Sequence, residues 1–262
     1  MMKPIVIKIG GSTLGNHDTT LEDVVTLQER GIPCVVVHGG GNLITQWLQK
    51  QGIASRFEEG QRVTDEESLE VVMAVLAGLV NKQLVGTINS LGGMAMGLSG
   101  VDAKLIQGRI KAPELGYVGE VVGINLKPLE TILLAGYIPV IAPIGFQSEY
   151  IEDGSIPLLN FNADIAAAAL ASALAADKLI FLTDVPGVCD SAGKLLLNVS
   201  AAEAKQLIDS GVVSGGMIPK VEACLQALSN MSSSYIIDGR VPGALLAAIE
   251  DKAVGTMIKR KS

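Results

Sequence analysis

Lys8 stands inside the apolar run Ile5-Val6-Ile7-Lys8-Ile9, which leads straight into Gly10-Gly11-Ser12. Taking an unpaired charge out of water costs on the order of several kcal/mol, so a lysine in a buried strand asks for an anion. Paired glycines let backbone N–H groups come close to such an anion. A phosphate meets both needs; a side chain that snorkels from a strand end into water is the alternative. Lys220 poses the same question from the other end of the chain. It follows Pro219, a residue favoured at the first helical position, and so falls in the first turn of a helix. There an ammonium opposes the helix dipole by roughly 0.3–1 kcal/mol. A polyanion bound beside Gly215 and Gly216 would reverse that penalty, whereas a Lys220 bent away into water would merely tolerate it.

Other polar residues sit at strand ends and helix starts. Asp164 opens an alanine-rich helix, where it is either a cap or first-turn residue or the holder of two lysines. Asn160 and Asn162 either end a strand or bond a ligand carboxylate. Arg62 is either a solvated loop residue or, through its planar fork, a bidentate carboxylate clamp. His38-Gly39-Gly40-Gly41 places three glycines between a strand and a helix, which aims N-terminal amides at an anion. His38 itself reads as a satisfied strand-end histidine rather than a base.

The elements that must carry these residues alternate. Ile5–Ile9, Pro33–Val37, Ala95–Leu98, Ile138–Ile141, Leu179–Leu182, Tyr235–Asp238 and Thr256–Lys259 read as strands. Most are near-continuous apolar runs, as in parallel sheets covered on both faces. Helices are expected at 20–30, 42–51, from Thr64, at 128–135, 165–176, after Ser200, after Ser214 and near 242–250. Thr64 with Glu67, and Ser200 with Glu203, read as capping boxes. Residues 104–109 and 118–122 suggest a hairpin. The pattern predicts an α/β fold, a three-layer αβα sandwich around a mainly parallel sheet. A soft division near 176–178 separates two closely joined lobes, 1–176 and 177–262. Ligands of such sheets gather at the carboxyl ends of the strands, where every glycine turn above would lie.

Several chemistries are excluded. No Gly-x4-Gly-Lys-Ser/Thr loop occurs, no Gly-x-Gly-x-x-Gly follows the first strand, and no Gly-x-Ser-x-Gly elbow is present. Two histidines, His17 and His38, and no His-Glu-x-x-His argue against a zinc hydrolase. A net charge of −7 with 3% aromatic residues argues against nucleic acid. The 262 residues are 48% hydrophobic, yet no apolar run reaches the length of a membrane span, Ala163–Ala176 being the most apolar stretch. The three widely spaced cysteines, Cys34, Cys189 and Cys224, fit a reducing cytoplasm, and the chain opens on a strand rather than a secretory leader.

Five segments in order, Lys8-Ile9-Gly10-Gly11-Ser12, His38-Gly39-Gly40-Gly41, Asn160-Phe161-Asn162-Ala163-Asp164, Thr183-Asp184-Val185-Pro186-Gly187 and Gly216-Met217-Ile218-Pro219-Lys220, resemble the amino-acid kinase family over essentially the whole chain. Arg62-Val63-Thr64 and Asn-x-Asn-Ala-Asp resemble the branch that phosphorylates the side-chain carboxylate of N-acetyl-L-glutamate with ATP in arginine biosynthesis. The branch acting on carrier-linked aminoadipate often has Asn-x-Asp-Gly-Asp instead. The resemblance implies that Lys8 and Lys220 stabilise the transferring phosphoryl group and that Asp164 orients them. It implies that Gly40, Gly41, Arg62 and Asn160 hold the acetylated amino acid in the 1–176 lobe. Gly10 and Gly11 would give amides to ATP phosphates, with Thr183, Asp184 and Val185 beside the nucleotide and 177–262 as the ATP lobe. Mg²⁺ would be held mainly by phosphates and water, with no dedicated protein metal site. A first strand beginning almost at Met1 resembles the arginine-insensitive, homodimeric form.

Overall fold

The computed structural model of the protein describes residues 2–10, 19–58, 60–148 and 158–260. The strands are β1 (Ile5–Ile9), β2 (Cys34–His38), β3 (Phe57–Glu58), β4 (Gln61–Arg62), β5 (Ala95–Gly100), β6 (Ile106–Ile110), β7 (Gly119–Ile124), β8 (Ile138–Gln147), β9 (Leu158–Asn160), β10 (Lys178–Thr183), β11 (Asn198–Ser200), β12 (Ser233–Asp238) and β13 (Thr256–Lys259). The α-helices are α1 (Thr20–Glu29), α2 (Gly41–Lys50), α3 (Glu66–Met73), α4 (Asn81–Ser90), α5 (Lys127–Leu134), α6 (Ala163–Ala173), α7 (Ala201–Asp209), α8 (Ile218–Ala227) and α9 (Ala244–Ile249). Strands β3 and β4 form a small hairpin. The others join one sheet in the order β11-β13-β12-β10-β1-β2-β8-β6-β7, with β5 and β9 also paired to β8. The run β12-β10-β1-β2-β8 is parallel throughout, and antiparallel pairs occur at β12–β13, β6–β7 and β8–β9. The expected fold class and hairpin are therefore present.

Side-chain alternation along the central strands divides the core into two layers. Ile5, Ile7 and Ile9 of β1 pack under α1, α2, α3, α4 and α9, while Val6 faces α5, α6, α7 and α8. Lys8 shares the Val6 side, and the alanines of α6 let that helix lie close against β1 there. Expected lobes 1–176 and 177–262 meet at the β1–β10 pair, within one continuous sheet.

Two local expectations need correcting. The cap before α3 is Asp65, whose carboxylate accepts from Ser68 N at 2.9 Å, rather than Thr64 with Glu67. Thr64 is drawn into a bridge with Gly116: its N–H donates to Leu115 O, and Tyr117 N–H donates to its carbonyl. The helix from Glu66 to Ser90 is also not uniform, because Ala74–Val80 is a π-helical segment between α3 and α4. This 25-residue helix is long enough to cross a membrane, its most apolar 18-residue window averaging a hydropathy of 1.7, although the apolar run from Val71 is broken at Asn81 and Lys82. It is a core helix here, since Val72, Val75, Leu76, Val80, Leu84 and Ile88 join the packed layer above β1. The Ser200–Glu203 capping box before α7 is complete.

Candidate active site

Asp164 is the hub of the first cluster. Asn162 caps α6, its Oδ1 accepting from Asp164 N and Ile165 N, so the Asp164 carboxylate is free for other partners. It spends both oxygens on lysines. Lys8 Nζ lies 2.8 Å from Oδ1, and Lys220 Nζ donates to Oδ2 at 3.1 Å. The Lys8 contact is a close ion pair that lacks hydrogen-bond alignment. Burial alone would raise the Asp164 carboxyl, but the Lys8 and Lys220 ammoniums outweigh it and hold it below its ordinary value. One carboxylate against two ammoniums leaves the cluster net cationic. Lys8 comes from the end of β1 and Lys220 from the first turn of α8, as the sequence suggested.

These lysines line a cavity of about 190 Å³ shared with Gly10, Gly41, Asn42, Leu182, Thr183 and Asp184. Gly10 N donates to Leu182 O at 3.3 Å, so this glycine borders the cavity with its amide already engaged. Gly11 lies outside the described residues. Thr183 Oγ1 is turned inward on Val185 O and Ile237 O, which shapes the turn rather than facing a ligand. Val185 is exposed just beyond it, and Asp184 makes no hydrogen bond among the described residues. Asn42, in the first turn of α2, was missed, although its place after three glycines was a signal.

Gly41 also borders a second cleft, of about 180 Å³, with Gly40, Arg62, Asn160, Phe161 and Leu76 among its walls. The two spaces therefore meet at the N-terminus of α2. Gly40 has no room for a side chain, because a Cβ there would sit 2.6 Å from Leu76 Cδ2. Arg62 is 9% exposed and donates to Ser55 Oγ (2.8 Å), Gly41 O (3.0 Å) and Thr45 Oγ1 (2.7 Å). The Phe57 ring lies 4.7 Å beneath its guanidinium. Among the described residues no carboxylate pairs with it. A buried guanidinium held only by neutral groups is preset for a carboxylate ligand. Asn160 Nδ2 donates to Thr64 Oγ1 at 3.1 Å at the same cleft. Sequence reasoning found Arg62 but not Ser55, Thr45 and Phe57, which hold it.

The described residues contain no cluster of His, Cys, Asp and Glu that could hold a metal ion. The family profile described as "Amino acid kinase family" matches residues 3–238. The chain belongs to the amino acid kinase family. Acetylglutamate kinase of Dehalococcoides mccartyi is 45% identical over 254 residues, covering 97% of this chain and 93% of that one. A crystal structure from Streptococcus mutans UA159 superposes with a TM-score of 0.85 at 30% identity, both chains being covered in full. N-acetylglutamate synthase from Neisseria gonorrhoeae, complexed with coenzyme A and N-acetyl-glutamate, matches with a TM-score of 0.85 at 25% identity, over 99% of this chain and 60% of that one. A cationic cavity and a separate cleft that share Gly41 suit a kinase, which has a phosphoryl donor and an acceptor to hold.

Proposed function

We propose that the chain is an acetylglutamate kinase, transferring the γ-phosphoryl group of ATP to the side-chain carboxylate of N-acetyl-L-glutamate in arginine biosynthesis. The carrying observation is Arg62, buried in the cleft without a carboxylate partner among the described residues, its guanidinium on the carbonyl of Gly41, which borders the two-lysine cavity as well. Arg62 clamps a carboxylate of the acceptor that does not react, Asn160 and the glycine turn hold the rest, and the reacting carboxylate faces Lys8. A glutamate-type carboxyl ordinarily titrates at about pH 4.3, so the nucleophile is ionised at neutral pH and no general base is needed. A carboxylate oxygen forms a bond to the γ-phosphorus as the bond from that phosphorus to the bridging oxygen breaks, giving an acyl phosphate and ADP. Lys8 and Lys220 neutralise charge on the transferring oxygens, and Asp164 keeps both ammoniums in place.

The donors around the phosphate cavity fit a Mg²⁺ held mainly by phosphates and water, with Asp184 as the one carboxylate lining it that is not committed to a lysine. When bound with ATP, the ion supplies further neutralisation of phosphate charge. Residues 1–176 form the acceptor lobe and 177–262 the nucleotide lobe. A homodimer is the expected assembly, and three free thiols suit a reducing cytoplasm.

The test is a coupled ADP-release assay across N-acetyl-L-glutamate, L-glutamate, L-aspartate, carbamate and carrier-linked aminoadipate. Turnover with N-acetyl-L-glutamate well above the others is expected. Preference for another acceptor, or ATP binding with no turnover on any, refutes the assignment.

A further inference from the structure

His38 lies at the end of β2, on the opposite side of the sheet from Lys8, and is wholly buried. Its surroundings define its proton. Asn81 Nδ2 lies 2.9 Å from Val140 O, 3.3 Å from Leu98 O and 3.2 Å from His38 Nε2. Two of those partners are carbonyls, so the nitrogen of Asn81, not its oxygen, must face this group. The oxygen is turned to Lys82 Nζ at 3.1 Å. The two hydrogens of that NH₂ cannot serve all three neighbours, but its nitrogen cannot accept either, so a hydrogen on His38 Nε2 would find no partner there. Nδ1 faces the Gly39 carbonyl, which can only accept, so the ring hydrogen is on Nδ1. Nδ1 then donates to the carbonyl of Gly39 at 2.9 Å.

That bond fixes a peptide plane. In a trans peptide the carbonyl and the following N–H point in opposite directions. With Gly39 O drawn to the imidazole, the Gly40 N–H faces away from it. The α-carbon of Gly40 is backed by Leu76 and Val80, and Gly39, Gly40 and Gly41 all line the acceptor cleft. No acceptor for the Gly40 N–H occurs among the described residues. We propose that His38 is a positioning residue: through Nδ1–H it sets the Gly39–Gly40 peptide so that the Gly40 amide is presented to the acceptor. This rests on the acceptor assignment of the preceding subsection. Asn81, directly after the π-helical segment, acts one step further out by fixing the tautomer. Burial, assisted by the Lys8 ammonium and opposed by the Gly39 bond, keeps the imidazole neutral down to about pH 4. The ring therefore stays neutral throughout the working range.

Asparagine carries an amide NH₂ close to the position of imidazole Nδ1, and glutamine carries one close to Nε2. His38→Asn should keep the bond to Gly39 O and retain the acceptor KM within about threefold. His38→Gln keeps the larger side chain but loses that bond; kcat/KM for N-acetyl-L-glutamate should fall at least about tenfold, with the KM for ATP unchanged. A residue that merely fills the core gives the reverse order or no difference, and either result overturns the proposal. Two-bond ¹H–¹⁵N spectra of the wild-type chain read the tautomer without relying on either variant folding. Protonation of Nδ1 alone at pH 7 is expected; an Nε2–H tautomer or an imidazolium refutes the proposal. If the wild type prefers a different acceptor, the assignment above fails separately, and the Asn and Gln variants are compared on that acceptor instead.

Discussion

Replacing Asp164 by Asn keeps the shape of the side chain and removes the one negative charge between Lys8 and Lys220. At 2.8 and 3.1 Å, with an effective dielectric of about 20, each ion pair carries roughly 5–6 kcal/mol of Coulomb attraction, most of it offset by desolvation. Removing one partner of such a buried cluster leaves charge uncompensated and should cost about 3–5 kcal/mol, or on the order of 10 °C in Tm for a chain of this size. The folded pKa of Asp164 lies below its ordinary value, so between the two values the unfolded chain binds more protons. The carboxylate's contribution is therefore complete at neutral pH and is lost as pH falls through the folded pKa, below about 3.9. Urea unfolding of the wild type and Asp164→Asn, at pH 7 and in steps down to pH 3, measures this directly. The stability gap should be widest at pH 7 and shrink at the acid end. Equal stability at pH 7, or a gap that ignores pH, would show that the carboxylate does not hold the two lysines electrostatically. Single-turnover kinetics give a second reading, with phosphoryl transfer slowed by roughly 10²–10³ as the ammoniums lose their anchor.

Lys8→Ala and Lys220→Ala should each lower kcat by roughly 10²–10³, measured by coupled ADP release; near-normal turnover in both would remove them from the mechanism. Arg62→Ala should raise the KM for the acceptor and leave that for ATP unchanged, which steady-state kinetics varying each substrate will separate. Gly40→Ala forces a methyl against Leu76 and should cost about 1–3 kcal/mol while weakening acceptor binding. Adding Leu76→Ala should recover part of the acceptor affinity, as read by titration calorimetry, if the obstruction is steric.

The two lysines were legible because each breaks a local rule: one is a charge in an apolar strand, the other a cation at a helix start. Asp164 was ambiguous for the same local reason, since Asn162 competes for the cap, and only the packed helix shows which residue took it. Thr64 misled because the Thr-x-x-Glu pattern obeys a local rule that a tertiary bridge to Gly116 overrides. Nothing in Ala74–Val80 distinguishes a π turn from an α turn, so Asn81 carried no signal of its meeting with His38. Residues beyond the glycine turns, such as Ser55 and Thr45 around Arg62, depend on packing between segments and cannot be read from spacing.

The charged hub joins residues 8, 164 and 220, which meet only when β1 is seated beside β10 and α8 has closed over α6. Contacts of such long sequence separation form late, because loop closure must precede them. A nascent chain still tethered to the ribosome through β10 already owns the acceptor cleft's glycines and Arg62, yet lacks the second lysine. With Lys8 and Lys220 in the roles proposed above, competence for phosphoryl transfer arrives only after most of the chain has been made.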